Sequence, residues 1–235
     1  LNFVTSIPDK DEMAKALRDC GELLLKCNIL SSDGFSAVVA TAERLRGKAA
    51  FSWDYAIPKA EPMTFSSCVD RLGRRFTPKI GVEGINVVRP SNDAVLPFRR
   101  WDIALTLEFD DADVHCPRWH FDMANVEQPG PITHLQYGGY RHAGRSDLDT
   151  VIKEPRWFTA PLDVILLSEV VAANFFPEIW LQTLREDRRW CSLVHLSQNF
   201  CYPPFLSAMV ASLGVSGASP ILGLSWNDRW SERRP

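Results

Sequence analysis

The chain has 235 residues, 46% of them hydrophobic and 23% charged, with a formal net charge of −3. These proportions belong to a globular chain with its own core, and they exclude disorder, collagen-like repeats and a disulfide-dense miniprotein. The negative balance also argues against broad electrostatic binding of nucleic acid or an anionic membrane.

In chain order, Asp9 after Pro8 is placed to cap a helix, and Met13, Leu17, Cys20, Leu24 and Cys27 recur at three-to-four spacing. Ser31-Ser32-Asp33-Gly34 is expected to break it, and a second helix is expected from Phe35 to Lys48, ended by Gly47. A short helical piece is predicted over Phe65–Leu72. The Pro- and Gly-containing stretch from Pro58 to Pro97 reads as connection, with one strand at Ile85–Val88.

The period then changes to two. Ile103–Phe109, Arg118–Met123 and Thr133–Tyr137 each alternate apolar odd positions with small or polar even ones, which predicts an antiparallel meander with one face buried. Helical spacing returns after Pro161, read as a first helical position, through Leu162, Ile165, Leu166, Glu169 and Val170. Pro203-Pro204 is expected to break the next helix, leaving a last one over Phe205–Leu213 closed by Gly214. The expected fold class is α+β: an antiparallel meander of about 3–5 strands packed by N-terminal and C-terminal helices. The expected organisation is one domain over 1–235, helical over 1–75, sheet over about 85–140, helical over 160–214, with a tail over 215–235.

None of the six cysteines forms a Cys-x-x-Cys pair, so no structural zinc site is expected. Most lie in apolar runs, where a free thiol acts as a small hydrophobe; this suits a reducing, cytoplasmic setting. No window carries the ~18–20 consecutive apolar residues of a membrane span, and residues 1–4 lack signal-peptide features. The first residue is Leu1, so an address preceding it is left open.

Four of the five histidines fall between His115 and His142. A hairpin about Glu127-Gln128-Pro129-Gly130 sets His120 opposite His134, with Asp122 and Gln136 on the same face because strand side chains alternate. Pairing of the first two runs around Asp111–Val114 adds Glu108 beside His120. Glu108, His120, Asp122, His134 and Gln136 are thus the candidate catalytic residues, and His120, His134 and Asp122 the candidate ligands of a divalent metal. The competing reading is an ordinary solvated sheet face. Gly138-Gly139 reads as a tight turn, Cys116 as no nucleophile because its neighbour His115 points the other way, and His195 as a core or interface residue.

Eight Trp form the remaining signal, and several follow Arg directly. Trp101, Arg156, Trp157, Arg189, Trp190, Trp226, Arg229 and Trp230 are the candidate partner-binding residues, since Trp and Arg anchor protein interfaces. The apolar tail is a candidate hook for another chain. The leading expectation is a non-catalytic cytosolic binding or scaffolding subunit that meets a protein partner or a second copy. The alternatives are a metal-assisted or His-based hydrolase of the phosphoesterase or nuclease type on the histidine-bearing face, and a nucleic-acid-binding accessory using local Arg/Trp patches.

Overall fold

The computed structural model describes residues 6–46, 52–88, 97–114, 116–124, 131–138 and 155–213. Two helices, α1 (Lys10–Lys26) and α2 (Ser32–Arg46), precede eight strands: β1 (Ser52–Ile57), β2 (Met63–Thr64), β3 (Cys68–Val69), β4 (Arg75–Val88), β5 (Phe98–Phe109), β6 (Arg118–Met123), β7 (Thr133–Tyr137) and β8 (Arg156–Phe158). Then come α3 (Val164–Phe175), α4 (Pro177–Ile179) running into a π-helical turn at Trp180–Leu184, and α5 (Arg188–Leu213). The fold is α+β, with helices from both ends of the chain flanking one antiparallel sheet ordered β1-β4-β5-β6-β7-β8; β2 and β3 also pair with β4.

Helix α1 starts as its residues require. The Asp9 carboxylate accepts from the amides of Asp11 and Glu12 while Glu12 reaches back to the Asp9 amide, a capping box that satisfies otherwise orphaned donors. Met13, Leu17, Cys20 and Leu24 of its stripe are all fully buried. The helix ends earlier than Ser31–Gly34. Asn28 takes φ 57°, a left-handed conformation Asn tolerates, and Ser32-Asp33-Gly34 becomes the first turn of α2. The Ser31 hydroxyl accepts from the Gly34 amide and donates to the Thr64 carbonyl, joining the start of α2 to β2.

Three expectations fail between residues 52 and 97. Residues 1–75 are not uniformly helical, Phe65–Leu72 is not a helix, and Pro58–Pro97 is not mainly connection. Cys68 and Val69 pair with Phe76 and Arg75 about a turn in which the Asp70 carboxylate accepts from the Leu72 and Arg74 amides and Gly73 takes φ 79°. The 14-residue β4 lies inside the sheet despite Pro78. Its position explains the tolerance: Pro78 has no N–H to offer, and its carbonyl accepts from Phe65 between the β2 and β3 pairings, where the edge ladder is already broken.

The core lies between the helices and one face of the sheet. Phe200 of α5 is fully buried and meets Trp53, Phe98 and Trp101, ring centroids 5.1–5.9 Å away. Helix α3 starts at Val164 rather than at Pro161, and Asp163 caps it: its carboxylate accepts from the Leu166 amide and from the Ser197 hydroxyl. Pro203-Pro204 does not break α5. Pro203 frees the carbonyl of Asn199, four residues back, and that carbonyl accepts instead from the Ser6 amide at 3.4 Å. All six cysteines are free thiols. Among the described residues no single helix is long and apolar enough to cross a membrane.

Candidate metal centre on the polar sheet face

The face turned away from the core is read directly from the register. On β6 and β7, His120 pairs with Gln136 and Asp122 with His134. On β5 and β6, Ala104 pairs with His120 and Asp102 with Asp122. Neighbours across antiparallel strands share a face, so Asp102, His120, Asp122, His134 and Gln136 all project to one side. The β6–β7 register lies two residues from the expected one. A slip of two keeps every side chain on its face, so the polar set survives although the partners change.

The next member lies on β4, at a β-bulge. Val82 pairs with Ile103 and Gly84 with Asp102, so Glu83 and Gly84 together oppose Asp102. The inward-facing set along β4 switches there from even to odd positions, Phe76, Ile80 and Val82 giving way to Ile85 and Val87. Glu83 keeps the outward facing of the odd positions before the bulge, and Gly84 joins it on the polar face. The Arg100 side chain lies over Gly84, in space that a Cβ would enter at 2.8 Å. Lys59, from the β1–β2 connection, crosses Gly81 and pairs with Glu83.

Donor atoms of Asp102, His120 and Asp122 all lie within 4.8 Å of one another. His120 Nδ1 stands 3.8 Å from Asp122 Oδ2. Arg100 Nη2 lies 3.8 Å from Glu83 Oε2 and 3.5 Å from Asp102 Oδ2. Asp122 Oδ1 is buried without a hydrogen-bond partner, an arrangement that normally carries a penalty of about 1–3 kcal/mol or more. Burial pulls His120 down to about 4, with the charges of Arg118 and Lys59 adding to it, so its imidazole is neutral at pH 7. Burial likewise lowers His134 to about 4. Burial pushes the Asp122 carboxyl up to about 7, helped by Asp102 and Glu83 and opposed by Arg118 and Arg156. Burial and Glu83 raise Asp102, whereas the Lys59 ammonium holds Glu83 low. A neutral imidazole with two carboxylates crowded at this distance is a donor set suited to a divalent cation, whose charge would relieve their repulsion.

Of the expected candidates, His120, Asp122, His134 and Gln136 are brought together and Glu108 is not. Glu108 shares their face but lies four residues along β5 from Ala104, about 13 Å at strand rise. It pairs with Lys79 at 2.5 Å instead. His134 sits one strand beyond the three-residue cluster, its Nδ1 3.0 Å from the Pro131 carbonyl. Asp102 takes the place expected of Glu108. Its signal was present: extending the alternating run by one residue puts Asp102, an even position, on the same polar face as Glu108. Glu83 lay in a stretch read as connection, and Lys59 reaches the face by a crossing side chain, which leaves no periodicity.

The interface anchors divide differently. Trp101 and Trp190 are 2% and 1% exposed. Their indoles donate to the Leu162 carbonyl and to the Glu169 carboxylate, so both are core residues and not partner anchors. Trp157 is 66% exposed, Arg156 donates to Gln136 on the polar face, and Arg189 meets Asp19 and Glu22 of α1. His195 is exposed on α5 rather than in the core. Trp226, Arg229, Trp230, His115 and His142 lie outside the described residues. No protein-family model, curated protein or solved structure matches this chain.

Proposed function

We propose that this protein is a divalent-metal-assisted hydrolase whose cation is held by Asp102, His120 and Asp122 on the polar face of the sheet. The observation that carries the reading is the convergence of three ligand-type atoms within 4.8 Å from two adjacent strands. Three protein ligands leave coordination positions for water and substrate, and a cation-bound water is a nucleophile near neutral pH. Residues on strands hold their positions better than residues on loops, which suits a preorganised centre. Gln136 and His134 stand one strand away, within the same polar surface.

The test is calorimetric titration of the purified chain with Mn²⁺. Wild type is expected to bind the ion, while Asp122→Asn and His120→Ala lose at least about tenfold in affinity, as loss of one ligand from a small set implies. Circular dichroism of each variant reports whether the fold is kept. Absence of binding by wild type to Mn²⁺ and to Zn²⁺ overturns the reading, as does unchanged affinity in Asp122→Asn.

A further inference from the structure

We propose that Arg100 competes with the divalent ion for Asp102: guanidinium and ion take the same carboxylate in alternation, and Glu83 receives the guanidinium when the ion has Asp102. The inference rests on the cation site proposed above and adds to it a residue that regulates how readily the ion is held.

Arg100 and Asp102 lie two positions apart on β5, so their side chains leave the sheet on the same face. Arg100 Nη2 lies 3.5 Å from Asp102 Oδ2 and 3.8 Å from Glu83 Oε2, so the guanidinium stands between the two carboxylates. Lys59 pairs with the other oxygen of Glu83, Oε1, which leaves Oε2 on the side of Arg100. The Glu83 and Asp102 carboxyls are also in contact with each other. Passing from one to the other takes only a small swing of a long, half-exposed side chain.

The bulge supplies the seat for that arm. Glu83 and Gly84 together oppose Asp102, and Arg100 crosses Gly84 with its Cδ and Nε 2.8 Å from where a Cβ would stand. A side chain at this position would lift the arm off the strand.

Competition follows from distance and charge. A divalent ion sits about 2.0–2.6 Å from a carboxylate oxygen that ligates it. An ion on Asp102 Oδ2 would then lie within about 6 Å of the Arg100 nitrogen if the arm stayed in place, less than the Debye length of about 8 Å at physiological salt, so the two cations repel with little screening. The charge of Arg100 offsets the burial of Asp102 and its repulsion by Glu83. A bound ion supplies the same compensation with twice the charge. The guanidinium is then surplus at Asp102 and still compensating at Glu83.

The experiment titrates the full chain with Mn²⁺ at low ionic strength. Arg100→Gln removes the competitor and is expected to bind Mn²⁺ more tightly than wild type by about threefold or more, the range of a partly exposed ion pair. Arg100→Lys keeps the charge without the fork and is expected to fall between the two. A rise in affinity does not come from loss of fold, so the sign of the Arg100→Gln effect separates competition from a structural role. Lys79→Gln removes a cation that pairs with Glu108, about 20 Å along β5 from Asp102, and is expected to stay close to wild type; a gain equal to that of Arg100→Gln would mean a general charge effect and overturn the competition. Glu83→Gln removes the receiving charge. It is expected to weaken Mn²⁺ by about twofold more in wild type than in Arg100→Gln, a comparison in which the loss of a nearby negative charge cancels. An equal loss in both backgrounds overturns the transfer to Glu83. If Mn²⁺ binds Arg100→Gln as it binds wild type, or more weakly, the competition is overturned and the cation site stands. If neither wild type nor Arg100→Gln binds Mn²⁺ or Zn²⁺, the cation reading fails and this inference fails with it.

Discussion

Asp163 shows how one side chain sets the conditions under which the fold is most stable. It is fully buried as the cap of α3, facing Cys20 of α1, Tyr55 of β1 and Cys201 of α5, whose ionisation its charge opposes. Burial raises its carboxyl to about 6, against the hydrogen bonds from Leu166 and Ser197. The native state therefore holds this proton more tightly than the unfolded chain does. Its contribution is most favourable below about pH 4 and is lost as pH rises through about 6, a change of about 3 kcal/mol. Asp163→Asn keeps a side-chain oxygen for the Leu166 amide and cannot ionise. Urea denaturation at steps from pH 4 to pH 7 should show the variant gaining on wild type across that window; a constant difference would mean that the carboxyl ionises in the core at little penalty. Gly138 makes a second case. Its φ of 86° turns its amide onto the Arg118 carbonyl, and its backbone bonds to His120. Gly138→Ala places a Cβ in a left-handed conformation, a penalty of about 1–2 kcal/mol, and Mn²⁺ affinity measured on the same sample should fall as His120 loses its support.

At the scale of elements, the junction of α2 with β2 tests how close two backbones can approach. A Cβ on Gly34 would lie 2.2 Å from the Thr64 carbonyl oxygen and 2.7 Å from its nitrogen. Alanine is favoured over glycine within a helix by about 1 kcal/mol, but the obstacle here is backbone and cannot swing aside. Gly34→Ala is expected to destabilise by about 1–3 kcal/mol net in chemical denaturation. Gly81→Ala is the matched control, with nothing nearer than 3.9 Å to the added carbon, and should be near neutral. Elements with strong periodicity were readable: the α1 stripe and the three alternating runs became α1 and strands of the sheet. Strand β4 was readable only at its end, Ile85–Val88, because Pro78, Gly81 and Gly84 resemble loop punctuation until the broken edge ladder and the bulge give each a place. Glu83 was missed with the part of β4 that carries it, whereas Asp102 was one residue away from being read.

For the molecule as a whole, α5 joins helices to sheet through Phe200, which touches rings from β1 and β5. Phe200→Ala should lower stability by about 3–5 kcal/mol and reduce the melting temperature by about 10 °C for a chain of this size; a shift under about 3 °C would mean that α5 is held mainly elsewhere. Composition and periodicity by themselves determined that the chain is α+β, that a meander bears His120, Asp122, His134 and Gln136 on one face, and that its cysteines need no bridges. Those properties follow from local spacing, because alternation assigns a side chain to a face whatever its neighbour across the sheet. The tertiary structure alone decided that Trp101 and Trp190 are core rather than interface, since burial depends on which segments meet. It alone replaced Glu108 by Asp102 and brought Glu83 and Lys59 to the centre. Register, bulge and crossing side chain are relations between distant segments, and a one-dimensional pattern carries no distance between them.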